Sequence, residues 1–290
     1  MTGPSHDPDS ALPPPEALAD ALRRALPQFR QVDWVAQTGS TNADLLARAR
    51  REGGPPDRPW LLGTHLQSRG RGRAGRTWQN RIGANLMFSC AFDVFLPAHQ
   101  LPTLAPLIGM ATCQALRTRM SSGQHARLTM KWPNDLLWDQ AKLAGILIES
   151  TRAGTAPATD HHLIIIGMGL NLEDGRALSQ SLDRRIADWS QIGLDDATAA
   201  QASPADLAAC AARAWYEALN HATAHGFADL PARYATVDGL AGRMLDVLDD
   251  GRLLHTGVAC GVNADGRLLL RDAEGTRAIS VGEISVRLQR

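Results

Sequence analysis

Cysteine is scarce in this chain of 290 residues, and Cys90, Cys113, Cys210 and Cys260 stand far apart with no CxxC pair. That spacing disfavours a zinc site or a disulfide framework and suits a reducing compartment, the cytoplasm. Aromatic residues make up only 5%, and none is interleaved with the arginine-rich segment described below, so a base-stacking platform is poorly supported. Neither sign of charge prevails, since Lys plus Arg and Asp plus Glu number 30 each. A nonspecific nucleic-acid binder carries a net basic surface that neutralises many phosphates, and this balance argues against that class. Long apolar runs are missing as well. Leu163 to Gly169 and Leu101 to Ala115 are too short or too interrupted to span a bilayer, and no charged-then-apolar leader opens the chain. What is present is 44% hydrophobic content, enough for one large core and a small second one in a soluble protein.

Residues 1–31 open with a run rich in Pro, Asp and Ser, Met1 to Pro15, after which the pattern predicts a short helix over Glu16 to Leu26 ended by Pro27. Too few residues precede Val32 for a winged helix. From 32 to 235, short apolar runs such as VDWVA, WLLGTHL and NLMFSCAFDV alternate with helical patterns, which predicts a mixed α/β unit. Within it Leu207, Cys210, Ala211, Ala214, Trp215, Ala218 and Leu219 recur on one helical face that should pack on a sheet. From 236 to 290, short strands are punctuated by Asp250-Gly251 and Asp265-Gly266, both hairpin signals, and a small β-barrel is expected. There is no internal repeat.

Against this neutral background the positive charge is local. Gln67 to Trp78, QSRGRGRAGRTW, sets Arg69, Arg71, Arg73 and Arg76 among Gly70, Gly72 and Gly75. Arginine offers a planar donor fork that stays charged and matches carboxylate and phosphate oxygens. Glycine lets the backbone approach the same oxygens, so the segment reads as an anion clamp, mobile when empty. Ordering the eleven residues Gln67 to Thr77 from a fully flexible state costs on the order of 10 to 20 kcal/mol, at about 1 to 2 per residue. Closure therefore calls for a strongly bound anion. The bland alternatives are a solvated basic loop or an RGG-like tract, and the neutral balance elsewhere favours a small anionic ligand over both.

Lys131 to Glu149, KWPNDLLWDQAKLAGILIE, is the second informative run. Pro133 disfavours helix for Trp132, which puts Asn134 and Asp135 on a turn between two strands, flanked by Lys131 and Lys142. Such a turn presents two cations and one carboxylate to a phosphate or a magnesium-bound phosphate; it is equally a plain hairpin with solvated lysines, and spacing alone does not choose. Gly167-Met168-Gly169-Leu170-Asn171 follows a buried strand, where glycines would let a ligand approach and Asn171 offers donor and acceptor to a base edge. Ser40-Thr41-Asn42 is first of all a helix N-cap whose hydroxyls could face a pocket. His221 and His225 stand four apart without a third ligand and read as surface or packing residues.

These pieces occur together and in order, and in this the chain resembles the biotin protein ligases. STN at 40–42, Gln67, GRGRxGR at 70–76, KWPND at 131–135, KLAGIL at 142–147, GxGxN at 167–171 and GEIS at 282–285 carry the likeness from about Val32 onward. The resemblance implies a class II synthetase-like α/β fold, a mixed sheet with flanking helices, plus a C-terminal SH3-like β-barrel. Its domains would be a tail with a short helix at 1–31, a catalytic unit at 32–235 and the SH3-like unit at 236–290. It implies ATP, biotin and Mg²⁺ as substrates and cofactor, and the biotin carboxyl carrier protein of acetyl-CoA carboxylase as acceptor. No DNA or membrane partner and a monomer or homodimer are expected.

By the same likeness, Arg73, Lys131 and Lys142 would be catalytic. Ser40, Thr41, Asn42, Gln67, Arg71, Gly72, Arg73 and Lys142 would hold biotin. Gly70, Arg76, Trp78, Lys131, Asn134 and Asn171 would hold the nucleotide and its phosphates, with Asp135 at the metal. The family loop is often GRGRRGR, whereas Ala74 stands here in the fifth place, one cation fewer. The rival readings are a lipoate protein ligase, a non-transferring biotin or adenylate sensor, and an RGG-like RNA binder.

Overall fold

The computed structural model describes residues 12–51, 58–153, 160–282 and 285–288. Helix α1 (Pro15–Ala25) starts on a proline, whose missing amide is no loss in a first turn, and buries Leu18, Ala19 and Leu22. Its bounds fall within one residue of the predicted helix, and most of the proline-rich run before it lies outside the described residues. The chain continues through β1 (Gln31–Thr38), α2 (Thr41–Arg51), β2 (Trp60–Gln67), β3 (Asn85–Phe95), α3 (Leu104–Arg117), β4 (Leu128–Lys131), β5 (Asp135–Trp138), β6 (Ala141–Arg152) and β7 (His161–Asn171). Then come α4 (Gly175–Leu182), α5 (Trp189–Asp195), α6 (Ala197–Ala200), α7 (Pro204–His225) and α8 (Leu230–Ala235). The last part is β8 (Met244–Asp249), β9 (Arg252–Val262), β10 (Leu268–Asp272), β11 (Gly275–Ile279) and β12 (Ser285–Leu288).

Strands β1 to β7 form one mixed sheet in the order β1-β2-β3-β7-β6-β5-β4. β1 and β2 run parallel with α2 as their crossover, and the other neighbours pair antiparallel. Strand residues alternate between faces, so Leu86, Phe88, Cys90 and Phe92 of β3 join Ile164, Ile166, Met168 and Leu170 of β7 in the main core beneath α1, α3 and α7. The predicted face of α7 is the one buried there, started by a Ser203/Asp206 capping box. Its Trp215 stacks on Phe88 with centroids 5.2 Å apart and donates to Thr112 Oγ1 at 2.7 Å. The opposite sheet face is covered only in part. α2 lays Leu45 over Trp60, Leu62, Ala91, Leu163 and Ile165, and the remainder of that face, paved by Gly145, Gly167 and Gly169, lines a cleft.

The C-terminal strands form an antiparallel sheet in the order β11-β10-β9-β8-β12. Asp250 and Gly251 take φ of 44° and 81° at the β8–β9 turn, as the Asp-Gly signal predicted. The expected barrel is corrected in one respect: among the described residues it does not close. β11 and β12, of five and four residues, are its opposite edges, and register shifts in the pairing of β9 with both neighbours bend the sheet instead. Its β9–β10 turn docks on the larger unit, where Trp132 Nε1 donates to Gly266 O at 3.0 Å and Thr103 Oγ1 to Asp265 O at 2.9 Å. That docking brings β12 to the cleft. No helix among the described residues is long and apolar enough to cross a membrane.

Candidate active site

The cleft encloses about 260 Å³ between the open sheet face, the start of α2, the arginine loop, the β4–β5 turn and β12. Its floor is polar, buried and internally satisfied. Ser40, Thr41, Asn42 and Ser89 are each at most 6% exposed. Gln67 Oε1 accepts the Thr41 amide at 2.9 Å, taking one of the donors a helix start leaves unpaired. Thr41 Oγ1 lies 2.6 Å from Ser89 Oγ, Ser89 Oγ donates to Asn42 Oδ1 at 2.5 Å, and Asn42 Nδ2 donates to Glu149 Oε2 at 2.8 Å. α2 also aims its N-terminus here, which favours negative charge in the cleft.

The glycines of GxGxN serve differently from the expectation. A Cβ on Gly167 would stand 2.2 Å from Asn42 Oδ1, and one on Gly169 2.4 Å from the Trp78 ring. The space they leave is taken in part by Asn42 and Trp78, and both glycines still line the cleft. Asn171 likewise turns inward: it is 3% exposed, accepts from Asn85 Nδ2 at 3.1 Å and donates to Ala187 O at 3.0 Å and Lys142 O at 3.3 Å. Its amide is spent on holding β7 to the chain around Lys142 and Ala187. Asn171 borders a small crevice behind Trp78 and Lys142, next to the main cleft.

The clamp carries structure of its own. Arg71 and Thr77 bridge, Gly72 N donates to Arg76 O at 2.7 Å and Trp78 N to Gly70 O at 2.9 Å. Ala74 and Gly75 turn the loop with φ of 51° and 66°; for Ala74 this left-handed angle costs about 1 to 2 kcal/mol. These internal bonds place the ordering cost below that of a fully flexible loop. Arg71 Nη2 reaches Glu149 at 3.3 Å, while Arg73 donates to Asn134 Oδ1 at 3.3 Å and to Gly282 O. The two arginines therefore tie the loop to both walls of the cleft. Gly70 is not in the lining; it lets the loop's base approach Trp78.

The β4–β5 turn is the hairpin foreseen, with Lys131 opposite Asp135. Lys142 Nζ pairs with Asp135 Oδ1 at 2.7 Å and lies over the Trp78 ring, 5.5 Å from its centroid. Burial pulls the Lys131 ammonium below the ordinary lysine value, with Lys142, Arg287 and Arg184 pushing the same way and Asp135 opposing. Burial likewise lowers the Arg73 guanidinium. Among the described residues, seven cations line the cleft, Arg71, Arg73, Arg76, Lys131, Lys142, Arg184 and Arg287, with one acid, Asp135, in the lining and Glu149 beside Arg71. Lys142 and Arg71 have carboxylate partners, and the remaining like charge favours an anion carrying several charges.

The structure thus brings Ser40, Thr41, Asn42, Gln67, Arg71, Gly72, Arg73, Arg76, Trp78, Lys131, Asn134, Asp135 and Lys142 to one cleft and leaves Gly70 and Asn171 behind it. Sequence reasoning missed Ser89, Glu149, Arg184 and Arg287. A lone hydroxyl in the apolar run NLMFSCAFDV was the one signal for Ser89; the arginines sit in no motif. Of GEIS, Gly282 and Ser285 border the cleft, while Glu283 and Ile284 lie outside the described residues. Among the described residues no group of three or more His, Cys, Asp or Glu could hold a metal. His221 bonds Asp229 at 3.2 Å on α7 and takes no part in the cleft.

Comparison with known proteins agrees with this architecture. The profile described as Biotin/lipoate A/B protein ligase family matches residues 35–171, and that described as Biotin protein ligase C terminal domain matches 242–287. The chain is 37% identical over 169 residues to the biotin–[acetyl-CoA-carboxylase] ligase of Mycobacterium tuberculosis, covering 57% of this chain and 59% of that one, about three fifths of its relative's length. It is 30% identical over 255 residues to the ligase of the same name from Paracoccus denitrificans, covering 86% of this chain and 98% of that one. A solved biotin protein ligase from Aquifex aeolicus, in complex with biotin and ATP, shares the fold with a TM-score of 0.69 at 22% identity, over 90% of this chain and 100% of that one.

Proposed function

The chain belongs to the biotin protein ligase family, and from that premise and the cleft we propose that it is an ATP-dependent biotin protein ligase. The observation that carries the proposal is the juxtaposition of a buried, neutral hydrogen-bonding floor with seven cations in one cleft. A small polar ring on an acyl chain fits the first part and a polyphosphate the second.

In the proposed reaction the biotin carboxylate attacks the α-phosphorus of ATP and pyrophosphate leaves. A lysine amine of the acceptor then attacks the acyl carbon of biotinyl-5′-AMP, AMP leaves and the amine sheds a proton. Two anions must meet in the first step, and fixed positive charge in a water-poor site offsets their repulsion. Arg71 and Arg73 from the loop and Lys142 from β6 would flank the carboxylate and α-phosphate, and Lys131 and Arg287 would take the phosphates. A mixed anhydride is quickly hydrolysed in open water, so a loop tied to both walls also protects it. Residues 32–235 would be the catalytic unit and 236–290 the unit that supplies Arg287. Mg²⁺ fits only as an ion brought with the nucleotide. Among the described residues Asp135 is the one carboxylate lining the cleft and pairs with Lys142, so the ion would rest on Asp135 and phosphate oxygens, adding charge neutralisation. The acceptor is proposed to be a biotin carboxyl carrier domain, in keeping with the names of the relatives.

The test incubates the purified protein with biotin, MgATP and a biotin carboxyl carrier domain and reads acceptor mass and pyrophosphate. One biotinyl addition, absent with lipoate, is expected. Pyrophosphate without transfer would turn the reading toward a sensor, and neither product would overturn it.

A further inference from the structure

The floor of the cleft is a hydrogen-bonded chain with a direction, and the direction is set from Glu149, the last residue of the Lys131 to Glu149 run, to which no role was given above. Glu149 pairs with Arg71 at 3.3 Å, and a carboxylate so paired can only accept. The amide of Asn42 therefore turns its Nδ2 toward Glu149, at 2.8 Å, with the Leu147 carbonyl a second and longer acceptor at 3.5 Å. That leaves Asn42 Oδ1 facing Ser89, whose hydroxyl spends its one proton on it at 2.5 Å. The 2.6 Å contact between Ser89 and Thr41 is then donated by Thr41. Gln67 Oε1 is the competing acceptor for that proton, but it lies 3.4 Å away and already receives the Thr41 amide. With its proton committed, the Thr41 oxygen can show a ligand only lone pairs. Gly167 keeps the chain in place, because a side chain there would displace Asn42.

We propose that Glu149 is a positioning residue that sets the hydrogen-bond polarity of this floor through Asn42, Ser89 and Thr41, so that the cleft selects a ligand head group bearing N–H donors. A cyclic urea meets that demand and a disulfide ring such as lipoate's does not. The proposal deepens the ligase reading and rests on it for the identity of the ligand.

The experiment measures binding of biotin and of biotin methylated on both urea nitrogens, by calorimetry, to the full chain and to its Glu149→Gln and Ser89→Ala variants. The readout is the ratio of the two affinities, with melting temperature as the check on folding. The unaltered protein should prefer biotin by at least a hundredfold. Glu149→Gln leaves only the Leu147 carbonyl, at 3.5 Å, to hold the Asn42 amide in this orientation, and Ser89→Ala frees the Thr41 proton while sparing the Glu149–Arg71 pair; each should cut the preference at least tenfold. A lowered melting temperature with an unchanged ratio would overturn the proposal by showing a merely structural role. A change in Glu149→Gln alone would overturn the relay and leave only the Arg71 pair. Failure of the unaltered protein to bind biotin would instead defeat the ligase reading.

Discussion

Gly169 offers a sharp test of how the cleft is walled. Its Cβ, if present, would stand 2.4 Å from Trp78 Cε2, 2.5 Å from Cζ2 and 2.8 Å from Nε1. Ordinary carbon contacts begin near 3.4 Å, so in Gly169→Ala the indole must retreat by about 1 Å. Overpacking of this kind costs about 1 to 3 kcal/mol, which on a binding equilibrium is about five- to 150-fold. Lys142 sits over the same ring, so the displaced wall carries a cation with it. Steady-state pyrophosphate release should show the ATP KM raised by about five- to 100-fold, with the melting temperature lowered by only a few degrees. The decisive control is a double-mutant cycle with Trp78→Ala, because a methyl has nothing to displace once the ring is gone. An equal effect of Gly169→Ala with and without Trp78 would refute the reasoning.

Three further outcomes are expected. Arg73→Gly removes a charge-assisted hydrogen bond, worth about 1.5 to 3 kcal/mol, and should hold the adenylate roughly ten- to a hundredfold less tightly; stray biotinylation of bystander proteins, read on a streptavidin blot, checks it. Gly63→Ala forces a Cβ to within 2.0 Å of the buried Trp34 ring, so a loss of at least about 2 kcal/mol, or several degrees of melting temperature, is expected. Asp238 is held above its ordinary 3.8 by burial, and its Oδ2 is buried without a hydrogen bond. As pH rises above about 4 the unfolded chain releases this proton while the folded one retains it, so stability falls through that window. Asp238→Asn should melt above the unaltered protein at pH 7, with the gap closing near pH 3; a gap that widens on acidification would contradict the sign.

Much of the site was legible because its chemistry is written in contiguous runs. Arginine among glycines in QSRGRGRAGRTW, and Lys131 and Lys142 around Asn134 and Asp135, announce an anion site wherever the chain folds. The helical face of Pro204 to Asn220 and the Asp-Gly turn at 250–251 were likewise local, and the structure has both. The glycines of GxGxN report only that something comes close, and that Trp78 is one such neighbour of Gly169 depends on a residue about ninety positions away. Nor does the sequence show that the Asn171 amide bonds Asn85 and Ala187.

Sequence by itself determined the mixed α/β character, the charge of the site and the donor-rich loop, since hydrophobic period and side-chain type are properties of neighbours in the chain. Tertiary structure alone decided what those charges face. It placed Arg287 of β12 and Arg184 after α4 beside Lys131, left the C-terminal sheet unclosed, and joined Glu149, Asn42, Ser89 and Thr41 into one directed chain. These are contacts between residues tens to hundreds of positions apart, and their geometry comes from strand register and sheet order, which no local pattern encodes.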